Sequence, residues 1–341
     1  MKKVWTALLV FAVISVIAAL CLGRYPISPG EVFYLILAKL GMVGSLPVAV
    51  EEKAIVFWNI RVPRVILSFV VGGGISVAGC IFQALFRNPL AAPDILGVSA
   101  GACFGAALAM MVFPHFVLGI HGMAFGVGTF AVFLAFTLAS RSPSQSAAVL
   151  VLAGIVVAAL FQAGLSLLMY LANPYDQLAR IVFWIMGSFQ VASWEKVQVV
   201  VPVLITCILL VVAFGWRLNI LSQEDEEALA LGVDVKKWRA FYVVISTLLV
   251  ASSVSAVGTI SWLGLIIPHI ARFLVGSEQR RLLAVSAFLG GGLMLIMDTC
   301  ARSLFESEIP ISIVTSMIGA PFLAYLVLSR KGGGLGSDRS N

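Results

Sequence analysis

The chain has 341 residues, of which 61% are hydrophobic and only 11% charged, and its mean hydropathy is +1.07. Soluble domains carry about a quarter charged residues, so this composition excludes a water-soluble enzyme and points to a protein embedded in lipid. The formal charge of +6 then reads as membrane topology, and nucleic acid is not an expected partner.

Crossing a hydrocarbon core of about 30 Å takes about 20 apolar residues, and roughly ten such segments follow one another along the chain. Lys2-Lys3 precede the first, Val4–Leu22. Its end, Ala18-Ala19-Leu20-Cys21, has the outline of a secretory or lipoprotein signal, but Leu20 stands where cleavage needs a small side chain. An uncleaved first helix is therefore expected. The stretch from Arg24 to Asn59 contains Pro26, Pro29 and Pro47 and reads as an irregular or short-helical cap. A second helix, Val65–Phe86, lies behind Arg61 and Arg64 and ends at the turn Arg87-Asn88-Pro89; a third, Ile95–Phe113, starts behind Pro93-Asp94. Next come Met123–Ser140, Ala147–Leu171, Val197–Phe214 and Ala240–Ile260. A short Leu263–Val275, then Leu282–Asp298 and Ile311–Leu328, complete the set. The whole chain, 1–341, reads as one integral membrane domain of all-α class.

Charges orient it. With Lys2-Lys3 inside and ten crossings, both termini are cytoplasmic. Fourteen basic residues then fall inside, including Arg330, Lys331 and Arg339, against eight outside, as the positive-inside rule asks. Three of the outside set, Arg61, Arg64 and Arg302, gather near helix ends. They read either as snorkelling side chains or as a cationic rim for an acidic partner.

Other chemistry is sparse. Cys21, Cys80, Cys103, Cys207 and Cys300 form no CxxC pair and read as small buried hydrophobes, so no disulfide framework or metal site is expected. His115, His121 and His269 lack metal-ligand spacing, although His115 and His121 share one predicted loop. No nucleophile–base constellation can be assembled. Runs such as Gly97-x3-Gly101-x3-Gly105 and Gly290-Gly291-Gly292 read as close helix packing. Ionisable residues are nearly missing from the span centres: Asp94 starts a helix and Asp298 lies near an outer end. Gln83, Gln162, Ser166 and Ser255 either line a path or bond to neighbouring helices. Ion-coupled transporters place acids or histidines at mid-membrane, so the energy for this chain is expected to come from elsewhere. No GxxxxGK[ST] occurs, so no P-loop is present. The loop Leu221–Arg239, LSQEDEEALALGVDVKKWR, has an acidic start and a basic finish suited to a short helix dipole. Gly232 is placed to end that helix, and the loop suits a cytoplasmic docking surface.

Several long motifs in order carry a family resemblance from about Trp58 to Leu328. They are RVPR at 61–64, QALFRNPLAAPDILGVSAGA at 83–102, WIMGSF at 184–189, ALALGVDV at 228–235, GLIIPHIAR at 264–272 and DTCAR at 298–302. The segment from Glu308 to Leu328 adds to them, with Ser312 where the family has glycine. The chain resembles the permease subunits of type II ABC importers that take up iron-siderophores, haem or vitamin B12. That resemblance implies ten spans in a bacterial or archaeal cytoplasmic membrane and a second permease copy, here as a homodimer. It also implies two ATP-binding-cassette ATPase subunits and an extracytoplasmic substrate-binding protein. ATP and magnesium would sit on the ATPase; this chain would hold no cofactor, metal or catalytic site. It would move an iron-chelate inward by alternating access, with vitamin B12 or haem as the alternative cargo.

By motif, Arg61, Arg64 and Arg302 would receive acidic residues of the binding protein. Ala228, Leu231, Gly232 and Val233 would couple to the ATPase. Asn88 and Leu90, with Ala147 and Ala148 of the turn Arg141–Ala148, would form the cytoplasmic gate. The fifth and tenth spans would line the pathway, and the segment Asn173–Trp194 would move with the fifth. A secondary transporter would need mid-membrane ion ligands and a membrane enzyme a catalytic dyad; the sequence displays neither.

Overall fold

The computed structural model describes residues 2–42, 48–114, 116–142, 147–304 and 306–329. His115, residues 143–146 of the predicted gate turn, and Arg330, Lys331 and Arg339 lie outside the described residues. The described chain is all helical. Helix α1 is Lys2–Cys21, α2 is Pro29–Lys39 and α3 is Val48–Val56; a π-helical turn, Phe57–Arg61, then leads into α4, Val62–Leu85. A 3₁₀ turn at Pro93–Leu96 precedes α5, Val98–Val112, followed by α6, Val117–Ser140, α7, Ala147–Leu171, and α8, Gln177–Met186. Then come α9, Trp194–Ala213, α10, Gly215–Leu221, α11, Asp225–Ala230, and α12, Val235–Val257. The chain closes with α13, Leu263–Val275, α14, Gln279–Ser303, and α15, Ile311–Ser329.

All ten expected spans are present as helices, but not with equal lengths. Among the described residues seven helices are long and apolar enough to cross a membrane: α1, α3–α4 as one 36-residue run, α6, α7, α9, α12 and α14. Helices α5 and α13 have 15 and 13 residues, about 22 and 20 Å at 1.5 Å per residue. They fall short of the bilayer because the chain before each is broken and re-enters the bundle.

Helix α4 is the axis of the molecule. Twenty of its 24 residues are buried, so it cannot face lipid, and α9, α12, α13 and α14 surround it. Its glycines explain how. A Cβ on Gly72 would come 2.5 Å from the carbonyl oxygen of Gly290 on α14, and one on Gly73 would come 2.9 Å from that of Ala287. Without Cβ atoms the two backbones touch, which is how helices associate where lipid removes the hydrophobic drive between them.

The described residues of the Arg24–Asn59 stretch form a helical cap; Pro47 lies outside them. Ser28 starts α2 with a capping box: its hydroxyl accepts from the Glu31 N–H, and Glu31 Oε2 accepts from the Ser28 N–H at 2.8 Å. Pro29 follows at the first helical position, where its missing N–H costs nothing. Lys53 at the end of α3 pairs with Glu31, and that bond, with the Ser28 N–H, holds the Glu31 carboxyl at about 2. Ile27, Val32, Leu35 and Phe57 form a small core of their own beneath this cap.

Candidate functional site

At the end of the bundle away from this cap, α10, α11 and the start of α12 build a projecting element. Asp225, Glu226 and Glu227 occupy the first turn of α11, next to its positive dipole end. Gly232 takes φ +75 with open space around it, which turns the chain sharply. Asp234 then caps α12, accepting from the Lys237 N–H at 3.1 Å. Beneath lies an aromatic base. Trp238 and Phe241 pack against Phe214, the Arg217 guanidinium sits 3.8 Å above the Trp238 ring, and the Tyr242 hydroxyl donates to Phe214 O.

The four residues expected to couple divide by burial. Leu231, 65% exposed, and Gly232 face outward, whereas Ala228 and Val233 are buried against the bundle. Leu229, which the motif comparison did not single out, is 61% exposed beside Leu231. Two open leucines on an acidic-ended turn make a surface suited to being covered.

This element is tied to the predicted gate turn. Both carboxylate oxygens of Asp225 lie 3.0 Å from Arg239 Nη2, and Oδ1 also meets Arg87 Nη2. Arg87 takes φ +50, rare for a residue with a Cβ, at the turn following α4. One residue on, Asn88 Oδ1 accepts from the Leu90 N–H at 2.9 Å and shapes the turn, leaving Leu90 exposed. Ala147 and Ala148 begin α7, half-buried and exposed respectively. Burial raises the Asp225 carboxyl, but the bonds from Arg239 and Arg87 outweigh it and hold the group below its ordinary range. A depressed carboxyl keeps its ion pairs above the unfolded value and loses them as pH falls through the lower folded one. The α11 tie is therefore expected to survive mild acid. Hydrogen exchange of α11 followed from neutral to acid pH should show protection unchanged until below the usual aspartate range. Protection lost already near pH 6 would count against this tie.

The three arginines at the opposite end are not an open rim. Arg61, Arg64 and Arg302 are 3%, 6% and 7% exposed. Arg64 makes two forked contacts: Nε and Nη2 reach Asp298 at 2.9 Å each, while Nη1 and Nη2 reach Glu308 at 2.9 and 3.1 Å. Arg302 lies 3.9 Å from Asp298 and donates to Ala19 O. Arg61 donates to Leu20 O and Tyr25 O. Helix α1 has no basic residue in its last turn, and these two arginines from other helices satisfy its final carbonyls. Burial of the guanidiniums thus corrects the expectation of exposed charge: on this chain they are spent on joining α1, α4, α14 and the segment before α15.

The histidines also differ from expectation. His121 belongs to α6, not a loop, and its Nδ1 meets Ser255 O near the end of α12. His269 packs edge-on against Phe273 in α13. Among the described residues no group of histidine, cysteine, aspartate or glutamate could hold a metal ion.

Residues 9–329 match the FecCD transport family. The chain belongs to that family. It is 38% identical over 334 residues to the molybdate import system permease protein MolB of Haemophilus influenzae, covering 98% of this chain and 97% of that one. It is 36% identical over 281 residues to the hemin transport system permease protein HmuU of Yersinia pestis, covering 81% and 84%. To the iron(3+)-hydroxamate permease FhuG of Bacillus subtilis it is 36% identical over 319 residues, covering 87% and 93%. A solved metal-chelate type ABC transporter in an inward-facing conformation superposes with a TM-score of 0.83 at 35% identity, covering 96% of this chain and 99% of that one. PsaBC of Streptococcus pneumoniae, at 18% identity and a TM-score of 0.60, shares the fold. As a FecCD member this chain is a multi-pass membrane permease of ABC importers.

Proposed function

We propose that this chain is the permease half of an importer for an intact iron chelate, working as a homodimer on two ATPase subunits and fed by a separate binding protein. The α10–α11 end is then cytoplasmic, and both termini with it. ATP and magnesium belong to the ATPase, which presses on Leu229, Leu231 and Gly232; Asp225 passes that displacement to Arg87 and the Asn88–Leu90 turn. The chain itself does no covalent chemistry. The binding protein docks at the α2–α3 end on groups other than the buried arginines.

One observation carries the cargo class. Helices α7 and α15, which by family resemblance flank the pathway, contain no charged residue among those described. Their open faces carry Leu152, Leu160, Gln162 and Tyr170 on α7, and Met317 and Ile318 on α15. Such a wall suits a metal wrapped in its chelator, because a bare ion would lose its hydration without a compensating charge. A second reading, an oxyanion, is favoured by the extent of similarity to MolB.

The test is ATPase activity of the permease with its ATPase in proteoliposomes, with the binding protein empty or loaded. Ferric siderophore, haem, cobalamin and molybdate are compared. Stimulation confined to a ferric siderophore is expected. Stimulation confined to molybdate would replace the chelate reading by the oxyanion one.

A further inference from the structure

The lipid-facing side of the bundle ends in an aromatic and basic corner at α10. Helix α9 is long and apolar enough to cross the membrane, and Pro202 and Leu209, seven residues apart, are exposed on one of its faces. The chain bends at Phe214 and continues as α10, where the exposed residue at the next such step is Trp216, 49% open. Trp216 therefore closes a stripe that faces hydrocarbon, next to the charged α10–α11 element. An indole in that position sits at the level of lipid headgroups.

Arg217 is built onto this corner. Its guanidinium lies 3.8 Å from the Trp238 ring centre, 4.8 Å from that of Trp216 and 5.2 Å from that of Phe214. The rings hold the half-buried cation in place but offer its N–H edges no acceptor. Among the described residues Arg217 has no ion pair and no side-chain hydrogen bond. A second base comes from α14. A Cβ on Gly215 would lie 2.9 Å from the Arg280 Cα, so the first turn of α14 rests against the start of α10. Arg280 is exposed, as is Lys237 next to Trp238, and neither has an ion pair among the described residues. Nearby acids are engaged elsewhere. Glu278 caps α14 and pairs with Arg281, Asp234 caps α12, and Asp225 is held by Arg87 and Arg239. Glu224, Glu226 and Glu227 are open, at the start of the α11 turn that carries Leu229 and Leu231.

We propose that this corner binds the headgroup of an anionic phospholipid, its phosphate forked on Arg217 and flanked by Arg280 and Lys237. A planar guanidinium matches two phosphate oxygens with two N–H bonds, and stacking covers its face while leaving those edges free. Position selects a lipid over a soluble anion. The Pro202, Leu209 and Trp216 stripe runs straight into the corner, so acyl chains lie along α9 while the headgroup meets Arg217. The bound lipid joins α10, α12 and α14, and so braces the base from which α11 projects.

The full-length chain in detergent is titrated with dioleoyl phosphatidylglycerol or dioleoyl phosphatidylcholine, and retained lipid is counted by native mass spectrometry. Preferential retention of phosphatidylglycerol is expected. A base beside an anionic headgroup contributes about 1 kcal/mol, roughly fivefold in affinity. Arg217→Gln should therefore weaken phosphatidylglycerol about fivefold and leave phosphatidylcholine unchanged, with Arg217→Lys between, because an ammonium cannot fork. Arg280→Gln should weaken it too, and it decides the matter if Arg217→Gln disturbs the aromatic base. Lys39→Gln is the matched control at the other end: it removes one exposed charge from above the Trp58 ring and should change nothing. Equal retention of both lipids by the wild type overturns the proposal, as does an undiminished preference in both Arg217→Gln and Arg280→Gln. An equal loss in Lys39→Gln also overturns it, because bulk charge would then explain the preference. Displacement of phosphatidylglycerol by excess inorganic phosphate would give the site to a soluble anion and overturn the lipid assignment. Neither ATPase, cargo nor binding protein enters the measurement, so its failure and that of the transport reading are separable.

Discussion

Arg64→Leu should cost the protein its assembly, not its docking. Removing the guanidinium leaves Asp298 and Glu308 facing each other without their shared partner. Breaking a buried pair from one side costs about 3–5 kcal/mol, because the remaining charge is buried and uncompensated. That is a large share of a domain's usual margin of about 5–15 kcal/mol. The measurement is detergent size-exclusion of the solubilised protein, where the monodisperse peak should shrink or vanish. Arg64→Lys should fall between, since an ammonium cannot fork to two carboxylates. The double variant Arg64→Leu with Glu308→Gln should recover part of the peak, because Asp298 retains Arg302 at 3.9 Å. An Arg64→Leu protein that assembles normally but no longer responds to loaded binding protein would restore the exposed-rim reading and sink this one.

Leu231→Asp should leave assembly intact and separate the permease from its ATPase. The side chain is open and makes no core contact that a carboxylate would disturb. If it is one of the few anchors of the interface, its loss costs about 2–4 kcal/mol, roughly 30- to 1,000-fold in affinity. Pull-down of the ATPase by solubilised permease reads this directly. Asp225→Asn provides the contrast. It removes the charge that ties α11 to Arg87 and Arg239 without touching the exposed leucines, so the ATPase should still bind while loaded binding protein no longer stimulates it. Equal binding by Leu231→Asp and wild type would move the contact to another part of the cytoplasmic face.

The ten spans, the polar loop that became α11 and the α12 cap, and the motif order were all legible in the chain. Each depends on local properties: apolar length, the acidic first turn at Asp225–Glu227, and the glycine at 232 that must adopt a left-handed turn. The helical cap was legible only in outline, because its three prolines hid the Ser28–Glu31 capping box, a signal that was present in the sequence. The pairing of the arginines was not legible for a different reason. Arg64 meets Asp298 and Glu308 across 234 and 244 residues of chain, and no local pattern tells a guanidinium at a helix end whether it will find water or two carboxylates.

Asp94 shows the same divide. By sequence it opens a helix beside a proline, and so it does, yet the fold carries that opening into the bundle to the level of Ile75. Depth is not a property of a residue or its neighbours; it is set by how far the chain doubles back before the next helix starts. What the sequence by itself determined was the solvent this protein lives in, its helices and its family. Only the tertiary structure decided which charges are exposed and which are paired. Burial and pairing are made by contacts between distant segments, and at low dielectric those contacts, more than the side chain's identity, govern what a charge can do.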